Sequence, residues 1–390
     1  MKVLNVNMAL DAFSGGGTAE RTFQISRFLA AKHIHCTVLA LDLGKTSIIA
    51  AQALSNVHVI LLPCLSKRFY IPLISLKKLT AIVADADIIH LIGHWTVLNA
   101  LIYYLARKLH KPYVFCPAGA LPIFGRSKIL KKLYNGWVGR KIVQNAAKCI
   151  AIAEVEFPAF QSYGISKDRI TVIPNGICMQ DYISSQEEAA LLQAKKSSIN
   201  LAGYKYILFV GRLNYIKGPD LLLTAFKNIA DKFTDIHLVY AGPDEGLLTS
   251  LQDQANAHQL QKRVHFLGNI SGQDKLVAFQ QALLLAIPSR SEVMSIVVLE
   301  AAASGVPALL TDRCGFNQIM EVNGGLVVEA SAESIEEGLT KLLTNQGQLN
   351  AKGSNLKNYV ANNYTWDVLV DKFIDCYRNI LNINKVEEIL

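Results

Sequence analysis

Strand-length apolar runs alternate with helix-length segments along almost the whole of this 390-residue chain. The strands are rich in Val, Ile and Leu on both faces, which is typical of a parallel sheet covered by helices on both sides. A first set of strands is predicted at 2–10, 36–42, 57–63, 86–93, 112–117 and 148–153, and a second at 206–211, 236–242, 263–268, 283–288 and 306–311. The alternation predicts an α/β protein with two doubly wound domains.

A polar stretch at 184–205 separates the two sets of strands. A chain of this length also exceeds what one compact core usually holds. We therefore predict a first domain at 1–183, a linker at 184–205 and a second domain that begins at 206.

Composition and cysteine use bound the class of protein. A content of 51% hydrophobic and 18% charged residues indicates a well-packed soluble protein, and no apolar run reaches the ~18 residues of a membrane span. The N-terminus is expected to form a strand and not a signal peptide. Seven scattered cysteines without a CxxC pair favour a reducing cytoplasm and argue against a metal site.

Two loops at predicted strand ends carry residues suited to a phosphate ligand, because such sheets bind ligands at the carboxyl ends of their strands. The turn SGGGT at 14–18 allows a ligand to approach the backbone ahead of a helix N-terminus, although a tight turn without ligand also explains it. The loop GRLNYIKG at 211–218 places Arg212 and Lys217 where both can face one crevice and bind a diphosphate. Each cation taken alone is equally consistent with an ordinary surface residue.

A third loop carries two glutamates around a predicted buried helix. Ser295 stands at the N-cap position, and Gly305 and Pro307 mark the end of the helix. Glu292 precedes the helix and Glu300 lies inside it, and a buried carboxylate is costly unless it is paired. Acids on both sides of a helix start match a sugar nucleotide. The acids would bind hydroxyls of the ligand, and the free N–H groups of Ser295, Ile296 and Val297 would bind its phosphates.

The net charge of +8 is concentrated in the segment 124–148. Its seven cations stand among apolar residues and are Arg126, Lys128, Lys131, Lys132, Arg140, Lys141 and Lys148. Such a segment can lie on an anionic membrane or hold an anionic substrate, and a solvated basic helix face is the equally open alternative. On the membrane interpretation, salt of about 0.5 M should release the protein from anionic vesicles. No nucleic-acid-binding motif is present, so nucleic acid is not a predicted partner.

The combination of GGG, GRLNYIKG and E-x7-E before AAASGVP resembles the retaining glycosyltransferases of the GT-B fold, family 4. The resemblance covers nearly the whole chain, including VIPNGI at 172–177 and YTWDVLVDKF at 364–373. It implies two Rossmann-like domains that face each other across a cleft. The acceptor side would be 1–183, the nucleotide-sugar domain 206–362, and a C-terminal helix at 363–390 would return to the first domain.

The resemblance also implies roles for individual residues. Gly16 and Gly17 would lie against the donor diphosphate, and Arg212 and Lys217 would neutralise it as the leaving group. Glu292 would hold hydroxyls of the transferred sugar, and Glu300 the ribose. The helix start formed by Ser295, Ile296 and Val297 would present N–H groups to sugar and phosphate. No metal and no cofactor are expected, because cations and the helix dipole neutralise the charge.

The chain departs from the family pattern in three regions. Where the family often has E-G-F-G, this chain has Glu292-Val293-Met294-Ser295, and Gln318 stands where an acid is common. Ala118 stands near where many members carry a histidine, and His94 is the candidate to replace it at the reaction centre. A structural role for His94 stays open.

The predicted function is retaining transfer of a sugar from a nucleoside-diphosphate sugar to a glycan or lipid-linked acceptor. The predicted setting is polysaccharide or glycolipid biosynthesis in the cytoplasm, with peripheral binding to the inner face of the membrane. A nucleotide-sugar epimerase or a phosphorylase of the same architecture is an alternative, although we identify no pyridoxal-binding lysine for the latter. An NAD-linked oxidoreductase would use the GGG turn and Asp42 but leaves the paired acids unexplained. A sugar-binding scaffold without catalysis also stays open.

Overall fold

The computed structural model describes residues 1–66, 70–123, 127–182, 201 and 203–387. It divides into two compact units, of which the first joins Met1–Asn175 to Trp366–Leu390 and the second is Gly176–Thr365. Most of the predicted linker at 184–205 lies outside the described residues.

The first unit contains one eight-stranded sheet in the order β4-β3-β2-β1-β5-β6-β7-β8. Its strands are β1 Lys2–Val6, β2 His35–Asp42, β3 His58–Ser66, β4 Ile71–Pro72, β5 Ile88–Ile92, β6 Tyr113–Cys116, β7 Lys148–Ala151 and β8 Ile170–Val172. All neighbouring strands are parallel except β3 and β4. Since β1 lies between β2 and β5, the strand order reverses between β1 and β5, which is where open α/β sheets bind ligands.

Helices cover this sheet because its central strands are apolar on both faces. Strands β5 and β6 are buried at every position, so neither face can be left to water. The helices are α1 Ala12–Ala31, α2 Lys45–Gln52, α3 Leu76–Asp85, α4 Val97–Lys108, α5 Lys128–Tyr134, α6 Arg140–Gln144 and α7 Phe157–Ser162, with a π-helix at Asn135–Gly139 between α5 and α6.

The second unit contains a six-stranded sheet, all parallel, in the order β11-β10-β9-β12-β13-β14. Its strands are β9 Lys205–Val210, β10 Ile236–Ala241, β11 Val264–Phe266, β12 Leu284–Ile287, β13 Ala308–Thr311 and β14 Gly325–Val328. Its helices are α8 Pro219–Ile229, α9 Leu248–Ala257, α10 Gly272–Gln280, α11 Ile296–Ala303, α12 Gln318–Glu321, α13 Ala332–Thr344 and α14 Leu349–Asn363. The strand order reverses between β9 and β12.

The prediction of two doubly wound parallel domains is confirmed, and every predicted strand is present. The structure adds three short strands that the sequence did not indicate, which are β4, β8 and β14. Each has two to four residues, too few to show a periodic pattern.

The last helix, α15 (Trp366–Glu387), belongs to the first unit although it follows the second in sequence. The Tyr377 hydroxyl and His90 Nδ1 are 2.8 Å apart in the core. The Arg21 guanidinium lies 5.3 Å from the centre of the Phe373 ring, a cation–π contact. These buried contacts fix the helix on the first unit. Of the helices described, none has the length and apolar content needed to cross a bilayer.

Candidate active site

The switch point of the second sheet lies between two of the loops that the sequence singled out. Strand β9 ends at Val210 and leads into the loop 211–218, and β12 ends at Ile287 and leads into the loop that contains Glu292. Because β9 and β12 are parallel neighbours, both loops leave the same edge of the sheet.

Lys217 and Glu292 meet at this edge. Lys217 Nζ donates to Glu292 Oε1 over 2.7 Å, and the buried Ser289 hydroxyl donates to the other carboxylate oxygen over 3.0 Å. The Lys217 and Glu292 side chains are 21% and 14% exposed. The pair is therefore partly shielded from water, where electrostatic interactions are stronger than at the open surface.

The two loops are locked to each other by backbone contacts. Gly218 has a left-handed φ of 68°, and a Cβ there would overlap the carbonyl oxygen of Pro288. The Arg290 backbone N–H donates to the Ile216 carbonyl over 2.8 Å. The Arg290 guanidinium binds both oxygens of Asp220, at 2.8 and 2.6 Å. Lys217 is thus held near Glu292 by the fold and not by their ion pair alone.

A third loop, after β13, supports the Glu292 segment. The Glu292 N–H donates to the Arg313 carbonyl over 2.9 Å. Gly315 has φ of 64°, and any side chain there would overlap the Val293 carbonyl oxygen. Gly315 therefore allows the two loops to approach at backbone distance.

Arg212 is not part of this cluster. Its Nη1 lies 3.1 and 3.2 Å from the two carboxylate oxygens of Glu245, and Asn214 donates to the same carboxylate over 2.7 Å. The Arg212 and Glu245 side chains are 53% and 43% exposed. The sequence placed Arg212 and Lys217 in one crevice, whereas in this structure the two cations have different carboxylate partners.

Glu300 lies inside α11 and is almost fully buried. Its Oε1 accepts hydrogen bonds from Lys275 Nζ over 2.7 Å and from the Tyr182 hydroxyl over 3.1 Å. Its Oε2 is buried, and among the described residues it has no hydrogen-bond partner. A buried carboxylate oxygen without a donor is costly, so this atom is suited to accept a hydrogen bond from a ligand hydroxyl.

The start of α11 is as predicted, with one difference at its cap. The helix begins at Ile296, and Ser295 has the extended conformation of an N-cap residue, but its side chain makes no capping hydrogen bond to the residues described. The first N–H groups of a helix have no partner within the helix and favour an anion. The role of the N–H groups at Ser295, Ile296 and Val297 against a ligand stays a prediction, and Ser295 itself is only 1% exposed.

The GGG run of the first unit was predicted to form a turn ahead of the first helix, and the structure places it differently. It lies within a helical stretch that begins at Ala12, and Gly16 interrupts this stretch with φ of 56° and ψ of −143°. A Cβ at Gly15 would overlap the methyl groups of Ala9 and Ala19. Gly16 and Gly17 are exposed, so their backbone is open to a ligand, and their role against a diphosphate stays a prediction.

His94 is placed after β5, at the switch point of the first sheet, but it is only 1% exposed. Its Nε2 lies 3.1 Å from Asn135 Oδ1, and its Nδ1 has no hydrogen-bond partner in the part of the chain that the structure describes. Burial lowers the pKa of His94 to about 4, so the ring is neutral at pH 7. Four aromatic rings surround it: Trp95, Phe115, Tyr134 and Tyr163. Its role at the reaction centre stays a prediction.

Several residues of the site were missed from the sequence. Ser289 could have been found, because it lies two residues after the end of β12. Lys275, which holds Glu300, lies 25 residues away from it in sequence. Arg290 and Asp220, which lock the loops, are 70 residues apart. Residues so far apart in sequence show no pattern that would predict their contact. Among the residues described, no group of three or more His, Cys, Asp or Glu side chains is placed to hold a metal ion.

Two doubly wound parallel domains with an ion pair and a helix start at one switch point define a GT-B protein. The fold matches that of the Anabaena protein Alr3699/HepE, solved in complex with UDP and glucose, with a TM-score of 0.78 over 97% of this chain and 100% of that chain, at 16% identity. The GT-B prediction is confirmed.

Family models identify the chain more closely. Residues 15–180 match the model for Glycosyltransferase Family 4, and residues 193–363 match the model for Glycosyl transferases group 1. The chain belongs to the group 1, family 4 glycosyltransferases, as its motifs predicted.

Two curated relatives illustrate the degree of similarity. An uncharacterized glycosyltransferase of Methanocaldococcus jannaschii is 29% identical over 218 residues, which is 55% of each chain. A D-inositol 3-phosphate glycosyltransferase of Corynebacterium urealyticum is 27% identical over 250 residues, which is 62% of this chain and 58% of that protein. The chain thus spans a little more than half the length of these two relatives.

Proposed function

We propose that this chain is a retaining glycosyltransferase that moves a sugar from a nucleoside-diphosphate sugar to a glycan or lipid-linked acceptor without a metal ion. The observation that carries the proposal is the Lys217–Glu292 pair, 2.7 Å apart at the β9/β12 switch point and beside the first turn of α11. A cation, a carboxylate and the N–H groups of a helix start at one strand edge are suited to bind a nucleotide sugar.

Each group has a proposed task in the reaction. Lys217 shares its charge between Glu292 and the leaving diphosphate, whose negative charge grows as the glycosidic bond breaks. The N–H groups at the start of α11 bind the phosphates, and Glu292 accepts hydrogen bonds from hydroxyls of the transferred sugar. The unpartnered Oε2 of Glu300 accepts a hydrogen bond from the ribose.

Arg212 can join the site at small cost. Its pair with Glu245 is about half exposed, and surface ion pairs contribute at most about 1 kcal/mol. Binding of a diphosphate, which carries more charge than one carboxylate, would offset that loss. We therefore infer that Arg212 leaves Glu245 and binds the diphosphate when the donor is present.

A thermal-shift screen against UDP, GDP, ADP and their sugars tests the proposal. One nucleotide should raise the melting temperature, because a ligand that binds only the folded state stabilises it by mass action. With that donor and an acceptor, the product should keep the anomeric configuration of the donor, as measured by NMR. If the nucleotide sugar binds but no acceptor is ever glycosylated, the chain is a sugar-binding scaffold; hydrolysis or epimerisation of the donor alone would instead identify the epimerase alternative.

Metal independence gives a separate prediction. Because Lys217, Arg212 and the α11 N–H groups would neutralise the diphosphate, transfer should continue unchanged in EDTA. The measurement is the initial rate with EDTA, without it, and with added Mg²⁺ or Mn²⁺. Complete loss of transfer that either ion restores would show that the protein groups do not suffice.

The acceptor and setting are also part of the proposal. We infer that the chain acts in cell-surface polysaccharide or glycolipid biosynthesis, in the cytoplasm, with peripheral binding at the inner face of the membrane. What supports this is the basic segment 124–148, of which residues 127–148 are described. A lipid-linked acceptor would be held at such a surface.

A further inference from the structure

The first unit has an exposed surface on α5, the following π-helix and the start of α6, called here the 128–141 surface. Four large apolar side chains on it are exposed to water: Ile129 (75%), Leu130 (53%), Leu133 (64%) and Trp137 (82%). Three exposed lysines stand among them: Lys128, Lys132 and Lys141. An exposed apolar cluster rimmed by charge marks an interaction site.

The apolar side chains form one ridge because of their spacing. Ile129 and Leu133 are four residues apart in α5, and such positions lie on the same helix face. Trp137 follows after four more residues, in the π-helix, which completes a turn with more residues than an α-helix. The ridge therefore continues from α5 into the π-helix.

The opposite side of this segment is firmly anchored. The Tyr134 hydroxyl donates to the Thr96 carbonyl over 3.1 Å, and Asn135 Nδ2 donates to the Tyr163 hydroxyl over 2.6 Å. Ile142 and Val143 are completely buried. The exposed ridge is thus a fixed feature of a packed element.

We propose that the 128–141 surface binds an anionic lipid bilayer by inserting the Ile129–Trp137 ridge into the interface while its lysines contact the headgroups. This deepens the proposed function by naming the surface that reaches a lipid-linked acceptor. The charges fit an anionic leaflet, and Trp is a preferred residue at membrane interfaces. Insertion of an apolar ridge accounts for large side chains that would otherwise stay in water.

Insertion changes the salt dependence expected from charge alone. Charge attraction falls as salt screens it, whereas burial of apolar side chains does not. Part of the binding should therefore survive about 0.5 M salt, in contrast to the complete release that the sequence predicted.

The surface also has a direct connection to the candidate reaction-centre residue. Asn135, on the buried side of the π-helix, lies 3.1 Å from His94, while Trp137 points to solvent two residues later. A bilayer bound at Trp137 would thus lie one helix thickness from the carboxyl end of β5. This is where a lipid-linked acceptor would need to enter the first unit.

Sedimentation with vesicles tests the proposal, using phosphatidylcholine alone and an equal mixture with phosphatidylglycerol. At low salt the full chain should bind the mixed vesicles more tightly than the neutral ones, and the weaker binding to neutral vesicles should resist salt. Leu133→Ser with Trp137→Ser should lower the partition coefficient by about tenfold or more and remove the part that resists salt. Lys128→Glu with Lys132→Glu should lower it by about tenfold or more at low salt.

Matched controls lie elsewhere on the first unit. Tyr104→Ser removes an aromatic side chain that is 61% exposed on α4, and Lys77→Glu with Lys78→Glu reverses two exposed charges on α3. Both controls should bind within about twofold of wild type, because at most a few contacts change. All variants should keep the wild-type thermal shift with nucleotide, which separates this proposal from the donor site.

Three results would overturn the proposal. The first is wild-type protein that ignores the mixed vesicles at low salt. The second is apolar and control variants that bind equally well. The third is a concentration-dependent dimer in light scattering that Trp137→Ser abolishes, since the ridge would then contact a second copy of the chain.

Discussion

Replacing Lys217 by Ala is expected to lower kcat/KM by about 10²- to 10³-fold, the largest effect that we predict for a single change. The Lys217 ammonium is the only cation described within hydrogen-bond distance of Glu292, at 2.7 Å, and its side chain is 21% exposed. A charged donor in such a partly shielded site stabilises a developing diphosphate charge more than one in open water. The measurement is steady-state kcat/KM with the donor found in the thermal-shift screen.

Controls for this prediction separate chemistry from folding. Lys227→Ala removes an exposed lysine in the last turn of α8 and should leave kcat/KM unchanged. Arg212→Ala should lower kcat/KM by about 10²-fold. We expect an effect no larger than that of Lys217→Ala, because the Arg212 guanidinium must first leave Glu245. If Lys217→Ala and Arg212→Ala both turn over at the wild-type rate, the diphosphate binds elsewhere.

The fold could be predicted because its signal is local. In a parallel sheet covered on both faces, every central strand must be a short apolar run, and each run is visible by itself. The same logic predicted that the loops with Lys217 and Glu292 leave one edge of the sheet, since both follow strands and strand ends converge at a switch point. The strand order β9-β12 then brings them together over 75 residues of sequence.

The choice of side-chain partners could not be predicted. Arg212 and Lys217 stand in one loop, yet Arg212 pairs with Glu245 and Lys217 with Glu292. The lysine end of the loop is fixed because Gly218 lies against the carbonyl of Pro288, which directly follows β12. The sequence shows this glycine, but it does not show that the Pro288 carbonyl leaves no room for a side chain at that position.

The basic segment shows the same limit in another form. Its cations can be counted in the sequence, but which apolar residues face water depends on the helix register. The π-helix at Asn135–Gly139 alters that register, so Asn135 turns inward to His94 and Trp137 outward. Gly139 makes this possible, because a Cβ there would overlap the side chains of Asn135 and Tyr134. The charges alone predicted a surface whose membrane binding is sensitive to salt. The helix register shows that the same surface also exposes apolar side chains.

Glu292→Gln is expected to lower kcat by about 10²-fold while the donor dissociation constant changes by less than about tenfold. The amide has nearly the same shape and can still bond to Ser289, which now donates to Glu292 over 3.0 Å. It removes the negative charge that holds Lys217 over 2.7 Å, so the lysine is no longer positioned as the diphosphate leaves.

The measurement pairs single-turnover rates with the donor thermal shift, because the two report transition-state and ground-state interactions separately. Glu333→Gln, an exposed acid in the first turn of α13, is the matched control and should behave as wild type. A fall in donor affinity with kcat unchanged would mean that Glu292 only binds the sugar. A fall in kcat alone would mean that the Lys217–Glu292 pair acts as one unit on the leaving group, since the carboxylate then contributes through the position of the lysine.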